Sequence, residues 1–287
     1  MCGADREAGA VGFCGGGRSA RAARAAAHYG EEPCISGERG SGTIFFTGCS
    51  LGCVYCQNAG ISRADAPGVD LSRDKLREVM LRLRDSGVHN INLVTGTHFV
   101  RQIAAALDGL ELGIPVAWNS SGYESVESLK MLEGLVQIYM PDYKYSLRAP
   151  AERYSSAPDY PEVAAAAIAE MYRQTGPYRM DGGGMLLGGV LIRHLILPGW
   201  VDNSIGCIDF AAGSFPAGSV LFSLMSQYTP MPGVGERSPE LAGTVEPEIA
   251  EMLYAYLLDR GITDGYYQEP DSSGGDMIPE WDLTGLL

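Results

Sequence analysis

Thr43-Ile44-Phe45-Phe46-Thr47-Gly48-Cys49-Ser50-Leu51-Gly52-Cys53-Val54-Tyr55-Cys56 is the stretch from which the chain is best read. Its first four residues are β-branched or aromatic and predict a strand. A loop with Cys-x3-Cys-x2-Cys spacing follows at once, so three thiols sit where a strand ends. An open doubly wound sheet and a barrel both display their chemistry at the C-terminal ends of strands.

Downstream, strand and helix alternate. Ser72 reads as an N-cap for a helix carrying Leu76, Val79, Met80 and Leu83 at helical spacing, with Gly87 to stop it. Asn90 to Val94, Val116 to Asn119, Val136 to Met140, Gly189 to Leu197 and Val220 to Met225 read as strands, with Tyr266 and Tyr267 on a last short one. Between them, Phe99 to Leu107, Ser125 to Leu132, Pro161 to Gln174, Ser204 to Ala212 and Pro247 to Arg260 read as helices. This rhythm implies a parallel sheet with right-handed crossovers.

Residues 1–40 look different. Cys2, Cys14 and the glycines at 15 to 17 suggest a loop-rich leader, and the alanines and arginines from Arg18 to His28 favour a short helix within it. Residues 41–272 are expected to form the core and 273–287 a C-terminal tail.

The chain has 287 residues, 46% of them hydrophobic, enough for one large core or two small ones. Its net charge of −14 repels phosphates and anionic lipid, which argues against a nucleic-acid or membrane partner, although an acidic surface also simply favours solubility. No apolar run approaches the roughly 20 residues that span a bilayer, and the N-terminus lacks the apolar segment of a secretory signal. The expected location is cytoplasmic, where seven cysteines are metal ligands, reactive thiols or core residues rather than disulfides.

Thiolates suit iron–sulfur clusters. Three cysteines on a cluster of four irons leave one iron open for a substrate or cofactor. A structural zinc site takes four ligands in pairs, and no second Cys-x2-Cys pair exists; a chance grouping of buried cysteines is the remaining reading.

The Cys49–Cys53–Cys56 spacing, with Tyr55 before the third cysteine, resembles the radical S-adenosylmethionine (SAM) superfamily. Further stretches resemble pyruvate formate-lyase activating enzymes, particularly the PflX-like branch: Glu32 to Gly37, Gly42 to Phe46, Cys56-Gln57-Asn58, Asn90 to Thr95, Ile192 to Leu195 with Leu197-Pro198-Gly199, and Gly265 to Pro270. The resemblance implies an α/β fold, a partial (β/α)6 TIM-like barrel. It implies a 4Fe–4S cluster on Cys49, Cys53 and Cys56, with SAM on the open iron. One electron then yields methionine and a 5′-deoxyadenosyl radical that abstracts hydrogen, as in glycyl radical enzyme activation. A flavodoxin or ferredoxin is the implied reductant, and a glycyl radical enzyme or peptide the implied partner. A non-catalytic iron–sulfur redox or electron-transfer protein is the alternative.

The resemblance also implies cofactor contacts from Tyr55, from Thr95, Gly96 and Thr97, where relatives carry Gly-Gly-Glu and this chain has His98 instead of the glutamate, and from Asn119 in Asn119-Ser120-Ser121-Gly122. His98 is read as facing substrate or capping a helix; Asn119 and its neighbours equally suit a plain turn. Period-2 geometry puts Asp142 and Lys144 on one side, and the resemblance suggests SAM contacts for them; a buried stabilising pair is the other reading. Arg193 and His194 interrupt an apolar strand, so one must face the barrel. Arg193 is favoured for a SAM or substrate carboxylate, against a structural ion pair. Gln227 is a weaker candidate of the same kind. Cys207 reads as core. Relatives usually carry further N-terminal cysteines, so a truncated start is expected, and a second cluster on Cys2, Cys14 and Cys34 is a further reading.

Overall fold

The computed structural model describes residues 4–6, 8–268 and 279–287. Ala20–His28 forms a strand (β1), Pro33–Ser36 one helical turn (α1) and Ser41–Phe46 the strand before the cysteine loop (β2). After the loop come Ala59–Ser62 (α2), Val69–Leu71 (β3) and Arg73–Asp85 (α3). Alternation then sets in with Ile91–Val94 (β4), Val100–Leu107 (α4), Val116–Ser120 (β5), Val126–Lys130 (α5) and Ile138–Pro141 (β6). It continues with Arg148–Ser155 (α6), Tyr160–Thr175 (α7), Arg179–Met180 (β7), Leu186–Leu195 (β8), Val201–Ser214 (α8), Leu221–Met225 (β9), Val234–Arg237 (α9), Pro247–Asp259 (α10) and Gly265–Gln268 (β10).

Strands β2, β4, β5, β6, β8, β9 and β10 lie side by side in that order, all parallel. The two ends of the sheet, β10 and β3, do not pair among the described residues, so the barrel is partial and unclosed. The expected α/β partial barrel is what forms. Helix α3 shows why the sequence pattern was readable. Ser72 accepts a hydrogen bond from the Lys75 N–H at 3.2 Å, Leu76, Val79, Met80 and Leu83 are the buried face, and Gly87 follows at φ +89°.

The expected helix from Arg18 to His28 is corrected: these residues form β1. It pairs antiparallel with β2 through the register Ala25 to Ile44, and with β3 through Arg21 to Asp70. Every residue of β2 is buried, so its second edge must be paired, and that demand overrides the helix propensity of alanine. The last described residues lie along β1 as well: Leu283 N–H donates to Ala23 O and Ala25 N–H to Thr284 O. Trp281 packs edge-on against Phe45, ring centroids 5.2 Å apart.

Inside the barrel the side chains sort by depth. Ala117, Ile138, Met140, Leu186, Leu191 and Leu221 form an apolar floor, and α1 plugs it with Cys34 and Ile35. Asn90 fixes the plug, donating to Ile35 O at 2.7 Å. Nearer the C-terminal ends of the strands the inward positions become Asn119, Asp142 and Arg193. No helix among the described residues is long and apolar enough to cross a membrane.

His194 takes the outward position next to Arg193. It is fully buried, with Nδ1 2.8 Å from Tyr143 O and Nε2 2.9 Å from Ser204 Oγ. Burial pulls its pKa down to about 4, against about 6.5 in an unfolded chain. Between these values the unfolded state binds a proton that the folded state does not. Stability is therefore expected to fall as pH drops from about 6.5 to about 4, by up to roughly 3 kcal/mol from this residue. Urea melts across that range check it: His194→Asn makes the profile shallower by one proton.

Candidate functional site

A cavity of about 230 Å³ opens at the C-terminal ends of the parallel strands. Cys49, Cys53 and Cys56 border it, each partly exposed. The loop that carries them is tied at several points. Gly48 turns the chain at φ +79°, and a Cβ there would stand 1.9 Å from Cys14 O, so only glycine fits. Val54 N–H donates to Tyr154 O of α6 at 2.9 Å. Leu51 N–H points at Cys49 Sγ at 3.4 Å.

Tyr55 anchors the loop. It is 5% exposed, packed edge-on among Tyr145, Tyr154 and Tyr228. Its hydroxyl donates to Tyr145 OH at 2.7 Å; Tyr145 OH lies 2.8 Å from Ser155 Oγ, which donates to Cys53 Sγ at 3.1 Å. A buried line of three hydroxyls thus ends on one of the thiols. Burial and the mutual repulsion of thiolates push the Cys56 thiol up to about 12 and raise Cys49 as well. Sulfurs so placed keep their protons until a cation arrives. Among the described residues, no three His, Cys, Asp or Glu side chains converge as ligands of a single metal ion. Three thiols bordering one cavity are the soft donor set that an iron–sulfur cluster takes.

The other residues singled out by sequence divide. Tyr55, Thr95, Asn119, Asp142, Lys144 and Arg193 all border the cavity, as do Ser120, Ser121 and Gln227. Lys144 Nζ meets Asp142 Oδ2 at 2.6 Å, as period-2 geometry required. Burial raises the Asp142 carboxyl, but Lys144 and Arg193 outweigh it and hold the group below the usual range. Thr95, the residue after β4, lies in the left-handed region at φ +59°, a strained conformation for a β-branched residue, with its N–H on Asn119 O at 2.8 Å.

Gly96 and Thr97 are turned away from the cavity. A Cβ on Gly96 would meet Ile103 and Trp118, and Thr97 Oγ1 donates to Glu124 Oε1 at 2.8 Å. Glu124, which the sequence did not flag, is a buried hub: Trp118 Nε1 and Ser120 Oγ also donate to it, at 2.9 and 2.7 Å. His98 neither borders the cavity nor caps the following helix. It is buried, with Nε2 2.7 Å from Thr47 O behind the cysteine loop, and the Arg6 guanidinium donates to its carbonyl. Cys207 is core. Cys14 packs behind Gly48 and Cys34 lies in the barrel floor, so the structure separates two of the three thiols of the supposed second cluster; Cys2 lies outside the described residues.

Sequence reasoning missed Glu31. Its Oε2 meets Arg193 Nη1 at 2.8 Å, and its Oε1 accepts from Asn92 and Asn119 at 3.0 and 3.1 Å. Arg193 also meets Asp142 at 3.3 Å. The guanidinium is therefore engaged by carboxylates of the chain itself. A buried arginine needing counter-ions was the available signal, and the adjacent acidic pair Glu31-Glu32 was the candidate to supply them.

Residues 43–166 match the family model described as Radical SAM superfamily. The uncharacterized protein MJ0674 of Methanocaldococcus jannaschii is 29% identical over 214 residues, covering 71% of this chain and 57% of that protein. SuiB of Streptococcus suis, solved bound to SAM, superposes at TM-score 0.53 and 13% identity over 82% of this chain and 52% of SuiB. Methylornithine synthase (PylB) does so at TM-score 0.51 and 12% identity, over 81% of this chain and 72% of PylB. The chain thus spans little more than half of MJ0674 and of SuiB, and the two structural likenesses are of fold. Over residues 43–166 the chain is therefore similar to the radical SAM superfamily, a family whose members use a 4Fe–4S cluster and SAM.

Thr95→Gly is expected to relieve the strained turn and raise stability by about 0.5–1 kcal/mol in denaturant melts, where Thr→Gly elsewhere in a strand lowers it.

Proposed function

We propose that Cys49, Cys53 and Cys56 hold a 4Fe–4S cluster with one iron free for SAM, and that the chain is a radical SAM enzyme. When bound there by Cys49, Cys53 and Cys56, such a cluster would supply the one-electron reduction of SAM that begins radical hydrogen abstraction. The observation that carries this reading is the shared cavity: three thiols, an Asp–Lys pair and Asn119 face one another at the C-terminal ends of parallel strands.

Each residue has a task that its surroundings support. Burial works against the charge on Lys144, but Asp142 outweighs it and keeps the ammonium, which stands ready to neutralise thiolates and a SAM carboxylate. Asp142, kept ionised, offers an acceptor for ribose hydroxyls or the SAM amino group. The left-handed turn at Thr95 presents backbone groups to the cavity. Tyr55 holds the cysteine loop against α6 and keeps water from one side of it.

The finer reading is glycyl radical activation, with hydrogen taken from a glycine of a partner protein and electrons from a flavodoxin or ferredoxin. The stretches resembling activating enzymes, Gly42 to Phe46 and Cys56-Gln57-Asn58 among them, support it. SuiB has been solved bound to its precursor peptide SuiA, which keeps peptide substrates in view for this fold.

Anaerobic reconstitution with iron and sulfide, then dithionite and SAM, tests the reading. Iron–sulfur absorption and 5′-deoxyadenosine are expected. A cluster that forms and reduces but releases no 5′-deoxyadenosine would turn the reading toward a non-catalytic redox protein. Cys49→Ala, Cys53→Ala and Cys56→Ala are each expected to abolish the cluster. Asp142→Ala is expected to keep it and weaken SAM binding about tenfold or more. Ser155→Ala removes the hydroxyl from Cys53 and is expected to make the cluster's midpoint potential more negative, read by EPR-monitored titration.

A further inference from the structure

On the β9 side of the cavity, polar atoms are left without hydrogen-bond partners. Glu32 borders the cavity and is 3% exposed, yet its Oε2 has no such partner. Arg193 Nη1 stands 3.8 Å from it and is engaged at 2.8 Å with Glu31. Ser223 is fully buried on β9, and its Oγ is unpartnered. It shares the inward face with Met225, which borders the cavity. Gln227 Oε1, after the same strand, is unpartnered too, while its amide nitrogen donates to Gln268.

Each of the three can accept a hydrogen bond; the Ser223 hydroxyl also reaches toward Glu32 as a donor. The cations nearby are shared: Lys144 is on Asp142, and Arg193 is on Glu31 and Asp142, with Glu32 only at 3.8 Å. Glu31, Glu32 and Asp142 face the cavity with only Lys144 and Arg193 as cations, and burial raises the Glu32 carboxyl against the pull of Arg193, so Glu32 is the group short of positive charge. A buried acceptor with no donor costs about 1–3 kcal/mol, and a ligand carrying donors and positive charge recovers it. Leu195 and Met225 supply apolar wall on the same side.

We infer that this part of the cavity is a subsite for a protonated amine or guanidinium on an apolar stem. The head meets Glu32 and Gln227, with Ser223 behind Glu32, and the stem lies along Leu195 and Met225. The inference deepens the reading above by naming the substrate class, and it rests on that reading only in taking the bound cation to belong to the hydrogen donor.

The test uses the full chain, anaerobically reconstituted, with SAM present. Saturation-transfer NMR compares n-butylammonium and agmatine with n-butanol and butyrate, and with a blocked lysine peptide. The cations are expected to bind about tenfold or more tightly than n-butanol, and Glu32→Gln to remove that preference. Tighter binding of the peptide than of agmatine assigns the head group to a peptide side chain; the reverse assigns it to a free amine. Equal binding of n-butylammonium and n-butanol, or no cation binding, overturns the inference on the unaltered protein, whatever becomes of the variant. A preference that survives Glu32→Gln also overturns it. So does lost SAM affinity in that variant, which would give the carboxylate to SAM. Cluster absorption and 5′-deoxyadenosine, followed in the same samples, report separately on the enzyme reading.

Discussion

Arg193 projects a guanidinium into the middle of a barrel, with its side chain only 17% exposed, and such a charge persists there only with carboxylates beside it. One comes from Asp142 on the neighbouring β6–β8 pair. The other comes from Glu31, in the segment that joins β1 to β2. That second partner has large consequences for the chain. It draws residues 31–36 into the barrel, where α1 becomes the plug on the apolar floor, and it leaves β1 beside β2 to close that strand's edge. The cavity in turn inherits a wall of alternating charge: Glu31, Arg193, Asp142, Lys144.

Much of the architecture was legible because its signals are local. The Ser72 cap, the apolar stripe of α3 and the β-branched strands each follow from a few neighbouring residues. The leader was not legible for the opposite reason. An alanine-rich segment has no strand signal of its own, and β1 exists because a buried edge elsewhere needs partners. The same division runs through the site. The cysteine spacing is a one-dimensional pattern and was read directly. Arg193 was rightly taken to face the barrel, but its partner Glu31 lies far away in sequence and could not be inferred from spacing. The direction of the Thr97 side chain was not legible either, because a strand-end position says little about rotamer; its hydroxyl is on Glu124.

The site combines rigid and strained parts. Tyr55, locked among three other tyrosines, gives the cysteine loop a fixed footing, while Thr95 is held in a conformation its side chain disfavours. Placing both around one cavity sets the thiols and the strand ends in a fixed relation before anything binds, which is the physical meaning of preorganisation.

The pairing of Leu283 and Thr284 with Ala23 and Ala25 bears on how the protein is born. Residues far apart in sequence thus share one flank of β1. During synthesis that flank stays open until the segment around Leu283 has left the ribosome, and an unpaired edge is a template for other chains. The nascent chain carries a sticky margin over that interval, and the distant segment seals it once it arrives.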